Sequence, residues 1–238
     1  MSGKLLMRKA GIFGGIYLLA IIALLPIQIA LVSVGLVQHG LTAREANGTV
    51  WSGSLTDARF GPVPLGHINV GLRFFPLLLG RAALDVRSTK DSTPLEGAAI
   101  VSRHAFGVEG LTGRLDVRTV AAPLPIDSLD LKDVKFRFDG RACRDAAGMV
   151  VANAGDQEFG LRLSGGLTGD VRCDGDALLL SLASQTGVVH ANLRISSGGH
   201  VSAELVVNEV EQSVAETLSS LGFRRTDRGF VLRTFRDL

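Results

Sequence analysis

The residues of this 238-residue chain that could do chemistry are few: five histidines, two cysteines, one tryptophan and two aspartates flanking a glycine. His39, His67, His104, His190 and His200 are dispersed, and none has a second His or Cys at metal-ligand spacing. His190 alternates with apolar neighbours, which reads as an exposed side chain on the polar face of a strand. Asp174 and Asp176 flank Gly175, but no further acidic ligands follow at the spacing of a calcium loop, so the three read as a turn. The chain has no G-x-S-x-G elbow, H-E-x-x-H pair or Walker loop, and no G-x-G-x-x-G opening a helix after a strand. No catalytic, cofactor-binding or metal residue is assigned on these grounds, and the chain is read as non-enzymatic. Asn47-Gly48-Thr49 is formally a glycosylation sequon, but the same residues form a tight turn before a strand, and the turn is the reading taken. Trp51, in N-G-T-V-W-S-G, is either a core anchor of the first strand or a partner contact.

Charge divides the chain that holds these residues in two. Hydrophobic residues make up 46%, mean hydropathy is +0.30, and three of the 25 basic residues, Lys4, Arg8 and Lys9, lie within the first nine residues, which hold no acidic one. The remaining 22 basic residues face 23 acidic ones, so the bulk of the chain is electrically neutral. A neutral surface with 5% aromatics offers neither a phosphate-seeking field nor stacking platforms, which excludes nucleic acid as a partner.

From Ala10 to Val37 no residue is charged. About 20 apolar residues cross a bilayer, whereas a cleaved signal has an apolar stretch of only about 7 to 15, so an uncleaved transmembrane signal anchor is expected at 10–37. Pro26 inside it is tolerable as a kink. The basic flank lies before the anchor and Arg44 after it is offset by Glu45, so residues 1–9 are expected in the cytoplasm and 38–238 on the exported side. Gly11 and Gly15 form a G-x-x-x-G spacing, which is too common to carry helix pairing alone. Cys143 and Cys173 both fall in the exported part, where an even count favours a disulfide; two buried free thiols are the alternative. Closing that loop would stabilise the fold by roughly 3 to 4 kcal/mol in the chain-entropy treatment.

Beyond the anchor the period is two. Strands are expected around Ile68–Phe74, Ala82–Arg87, Leu111–Arg118, Val134–Phe138, Phe159–Leu163, Leu178–Leu182, Val189–Ile195, Val201–Val207 and Phe230–Phe235. Asn47-Gly48, Asp139-Gly140, Asp174-Gly175 and Ser197-Gly198-Gly199 read as turns between them. Such close spacing joins antiparallel neighbours, since parallel pairs need long crossovers. Val210, Val214, Leu218 and Leu221 lie on one face of an amphipathic helix that Asn208 could cap and Gly222 ends; a further helical turn is expected at Pro76–Gly80. G-L-T-G recurs at Gly110 and Gly166, by duplication or by convergence on strand-entry chemistry. The expectation is one mainly β domain with an N-terminal transmembrane helix and one short C-terminal amphipathic helix.

Several of these features in order resemble a known family. The basic tail and anchor are followed by G-T-V-W-S-G (Gly48–Gly53), by G-P-V-P-L-G (Gly61–Gly66), and by F-P-L-L-L-G-R (Phe75–Arg81). Leu163–Gly175 then reads L-S-G-G-L-T-G-D-V-R-C-D-G, and the last helix closes with Leu221-Gly222-Phe223. The chain is similar in this to protein N of the type II secretion system, the general secretion pathway of Gram-negative bacteria. Family strands at Ile68–Phe74 commonly carry a second tryptophan, which this chain lacks. The resemblance implies an inner-membrane subunit with a periplasmic domain, a strongly curved antiparallel, groove-like sheet similar to the AsmA-like group, and no catalytic residue. It implies as partners other secretion subunits, namely the inner-membrane platform and, as a further candidate, the outer-membrane secretin.

In such a sheet, residues of one parity share a face. Leu161, Leu163, Leu180, Leu182, Leu193, Ile195, Ala203 and Leu205 are expected to form an apolar groove, with Arg162, Ser181, Arg194 and Glu204 outside. One short helix covers only part of such a face. Two functions follow: an assembly subunit making protein contacts through strand edges, or a binder of lipid or another hydrophobic ligand in the groove. The lipid bilayer itself is a partner through the anchor.

Overall fold

The computed structural model describes residues 21, 23–29, 40–61, 63–88, 95–118, 126–153, 166–208 and 212–237. Two short pieces, β1 (Leu41–Thr42) and β2 (Glu45–Thr49), precede the long strands β3 (Ser52–Phe60) and β4 (Val63–Leu72). A one-turn helix, α1 (Phe74–Leu78), leads to β5 (Ala82–Ser88), β6 (Glu96–Val101) and β7 (Ala105–Asp116). β8 (Ser128–Asp139) and β9 (Ala142–Asn153) form the next hairpin, and β10 (Leu167–Asp174), β11 (Ala177–Ser184), β12 (Val189–Ser196) and β13 (His200–Val207) continue the series. The chain closes with α2 (Gln212–Ser220), β14 (Arg224–Thr226) and β15 (Gly229–Asp237).

All these strands belong to one antiparallel sheet, and from β3 to β13 each pairs with its neighbours in sequence. Such a meander is what short, turn-rich connections permit. The two ends depart from it. β1 and β2 share one edge of β3, with Leu41 opposite Phe60 and Glu45 opposite Thr56. At the other end β15 lies between β13 and β14, so the last hairpin folds back onto the sheet.

The sheet bends over its apolar face. Two strands separate β4 from β7, which would put them about 14 Å apart in a flat sheet. Their Cα atoms instead approach within 8 Å, and Leu65 of β4 packs against a core drawn mainly from β8 to β15. Bulges supply part of the bend. Asp57 and Asp133 adopt positive φ where the β3–β4 and β8 ladders slip. Opposite Asp133, Gly148 is required, because a Cβ there would lie 2.5 Å from the Val134 Cα.

Several expectations shift locally. Trp51 sits in the Val50–Trp51 turn that joins β2 to β3, not inside a strand, and Asn47-Gly48 lies within β2. Phe74 starts α1 instead of ending β4, because Pro76 has no N–H for a ladder and suits the first turn of a helix. Among the described residues no helix is long and apolar enough to cross a membrane. Of the expected anchor at 10–37, only residue 21 and residues 23–29 are described; the strand expected at Phe159–Leu163 lies outside the described residues.

Candidate functional site

The inner face is built by register. Cross-strand neighbours run Leu178–Ile195–Val201, Leu180–Leu193–Ala203 and Leu182–Ala191–Leu205 across β11, β12 and β13. Six of the eight expected groove residues therefore share one face: Leu180, Leu182, Leu193, Ile195, Ala203 and Leu205. Leu161 and Leu163, with Arg162, lie outside the described residues. Ser181, Arg194 and Glu204 belong to the opposite parity, where Ser181 donates a hydrogen bond to the Asn192 side chain.

Burial along this face is uneven. Leu180, Leu182, Ala203 and Leu205 are buried, whereas Leu193 and Ile195 are half-buried. The closed end is sealed by α2, whose Leu218 joins Val207, Phe223 and Phe230 in the core. Its end is a Schellman motif: the Phe223 N–H donates to the Leu218 carbonyl, the Gly222 N–H to that of Ser219, and Gly222 takes φ +92°. That turn drives Phe223 into the apolar interior beside Leu218. Leu221, expected on the apolar face, is exposed instead.

Cys143 and Cys173 are bonded to each other, with Cα atoms 5.4 Å apart. The β9–β10 ladder runs only from Ala152–Leu167 to Met149–Asp170, so the bridge ties these strands where hydrogen-bonded pairing has ended. Beside it Phe138, opposite Cys143, stacks on Phe106 with ring centroids 5.2 Å apart.

The outer face is a mosaic of opposite charges. Arg87 with Glu96, Arg114 with Asp130, Lys135 with Asp145, Arg194 with Asp174 and Arg233 with Glu204 pair across strands. Two hydrogen bonds from Arg114 and one from Asn153 hold the Asp130 carboxyl below the usual carboxylate range, against the opposing effect of its partial burial. The Asp130 and Asp85 carboxylates raise the Arg114 and Arg73 guanidinium values in turn. Among the described residues no cluster of His, Cys, Asp or Glu is placed to hold a metal ion.

A second site was not legible beforehand: a seat for the segment that follows Ile21. The Val50 N–H donates to the Leu25 carbonyl at 2.9 Å, and Pro26 bridges to Thr49. Ile27, 1% exposed, lies where a Cβ on Gly53 would meet its Cδ1 at 2.5 Å. Gly53 of G-T-V-W-S-G is thus matched to a bulky residue arriving from the apolar run, whereas a Cβ on Gly48 would meet the Ser52 carbonyl oxygen. A glycine facing glycine across a hairpin, Gly48 opposite Gly53, was the available signal.

A disulfide-tied antiparallel meander, curved over an apolar face and covered outside by paired charges, defines a β-scaffold. The profile of the family described as "Type II secretion system (T2SS), protein N" matches residues 39–233, and the chain belongs to that family. It is 26% identical over 197 residues to "Type II secretion system protein N" of Vibrio cholerae serotype O1 (strain ATCC 39315 / El Tor Inaba N16961), covering 78% of each chain. No solved structure matches it significantly.

Proposed function

We propose that the chain is a non-enzymatic subunit of the type II secretion machine, anchored in the inner membrane by the N-terminal part of the apolar run at 10–37, with its sheet, and the Leu25–Ile27 segment docked on it, in the periplasm. Its work there is assembly, through contacts with the inner-membrane platform and the outer-membrane secretin. The observation that carries this reading is the extent of the family match: residues 39–233 take in the whole sheet except the end of β15, so the family's shared role is assigned to it. The sheet also offers a contact edge. β14 pairs only with Gly229, Phe230 and Val231 of β15, and beyond Val231 no described strand lies on that side. Such an edge accepts a partner strand. A photo-crosslinking residue placed at Phe235 in living cells is expected to capture another secretion subunit, and deletion of the gene to reduce release of secreted proteins. Normal release together with no secretion subunit among the adducts would overturn the reading.

Half-burial of Leu193 and Ile195 favours a second reading, a lipid or other hydrophobic ligand seated at the open end of the inner face. Mass spectrometry of the protein released from mild detergent distinguishes the two: stoichiometric phospholipid supports the second, and its absence the first.

A further inference from the structure

Among the described residues one loop carries a consecutive run of exposed large apolar side chains. Phe74, Phe75, Leu78 and Leu79 are 54%, 79%, 70% and 78% exposed, and no residue of α1 is buried. A run of large apolar side chains left in water is costly and marks a surface meant to be covered. Arg73 and Arg81, both exposed, flank it.

Its position indicates what covers it. Leu72, two residues before Phe74, donates its N–H to the Val50 carbonyl at 2.8 Å, and Val50 donates to the Leu25 carbonyl at 2.9 Å. Two such hydrogen-bonded steps span about 10 Å. The Trp51 ring in the intervening turn lies 6.0 Å from Phe74. The loop therefore shares one end of the sheet with the seat of the apolar N-terminal run, in which Ile21 and Leu24 are also exposed.

We propose that the Phe74–Leu79 loop is a second, monotopic membrane contact, dipping Phe75, Leu78 and Leu79 into the periplasmic leaflet of the bilayer that the anchor crosses. For its placement it rests on the anchor reading above. Phe and Leu suit the acyl boundary, and Arg81 at the end of the loop extends its head to lipid phosphates while its stem stays apolar; Arg73 at the other end is held by Asp85. Tethering raises the loop's effective concentration at the leaflet, so a modest affinity of its own suffices. Two contacts on one rigid end would fix the tilt of the sheet over the membrane, which a lone helix cannot do.

The test uses the full chain in vesicles of phosphatidylethanolamine and phosphatidylglycerol doped with dibrominated phosphatidylcholine, which quenches tryptophan at short range. Trp51, the chain's single tryptophan, is a native reporter. In a Trp51→Phe background, Phe75→Trp is expected to emit blue-shifted light and lose roughly half or more of it to the brominated lipid, and Phe235→Trp to lose little. In the otherwise unaltered chain, Phe75→Ser with Leu79→Ser should lessen the quenching of Trp51, which keeps the test open should the Trp51→Phe background fold poorly. Emission from the Phe75→Trp indole at water wavelengths without quenching would overturn the proposal. Blue-shifted emission without quenching would also overturn it, assigning the loop to a protein cover. Alkaline carbonate extraction separates the two readings: retention with the introduced indole unquenched sinks the loop alone, and quenching in a chain that carbonate releases upholds the loop and sinks the anchor.

Discussion

Asp130 accepts hydrogen bonds from Arg114 and Asn153 on the solvent side of β8, so a proton must be added to it against a fixed guanidinium. Its folded-state pKa is lowered, and the stability this confers is complete above the unfolded value of about 3.9 and is lost as pH falls through the folded value. Asp130→Asn is expected to lower the melting temperature slightly at neutral pH, with the gap to the parent chain closing in acid; a gap independent of pH would refute it. Gly169 shows a steeper dependence on one atom. A Cβ there would lie 1.8 Å from the Ser181 carbonyl oxygen, so Gly169→Ala forces β10 and β11 apart and should cost about 3 kcal/mol in chemical denaturation. On the inner face the burial gradient sets a contrast. Leu182→Asp should cost several kcal/mol because an ion is buried without a partner, whereas Leu193→Asp, half-open to water, should melt closer to the parent. Equal losses at both positions would show the face to be uniformly closed.

At the scale of elements, the bridge between β9 and β10 takes over where their ladder stops. Replacing Cys143 and Cys173 by serine should lower stability by about 3 kcal/mol, with thiol labelling of unreduced, unfolded parent protein showing no free cysteine. The strands with alternating Leu, Val and Phe were legible, β11, β12 and β13 down to the side each residue faces, since period two and one apolar face leave a single register. β6 and β9 were not. Glu96–Val101 and Ala142–Asn153 are rich in alanine and glycine, and their pattern is set by close backbone approach: a Cβ on Gly97 would lie 2.9 Å from the Leu111 Cα. The three-residue β14 and the two-residue β1 were too short to show a period, and Asn47-Gly48 within β2 reads as a turn. What escaped notice at the site followed the same rule. Ile27 reads as one more apolar residue in a membrane run until the hairpin that receives it is seen.

For the molecule as a whole, orientation is the first quantity to measure. A reporter fused after Leu238 is expected to behave as periplasmic and one fused before Met1 as cytoplasmic; exchanging Lys4, Arg8 and Lys9 for glutamate should scramble that pattern. A mature chain beginning near residue 38 would refute the anchor. The meander bears on how such a chain folds as it is exported. From β3 to β13 every strand finds its partner in the one just before it, so each hairpin can add to the growing edge as it emerges, with no early strand waiting for a distant mate. After β13 the last step breaks the order: β15 must reach β13 with β14 already behind it, after α2 has turned at Gly222. Until that closing hairpin docks, β13 is an open edge at the end of a nearly finished sheet. The final residues of the chain therefore govern whether a newly exported copy completes itself or pairs with its neighbour.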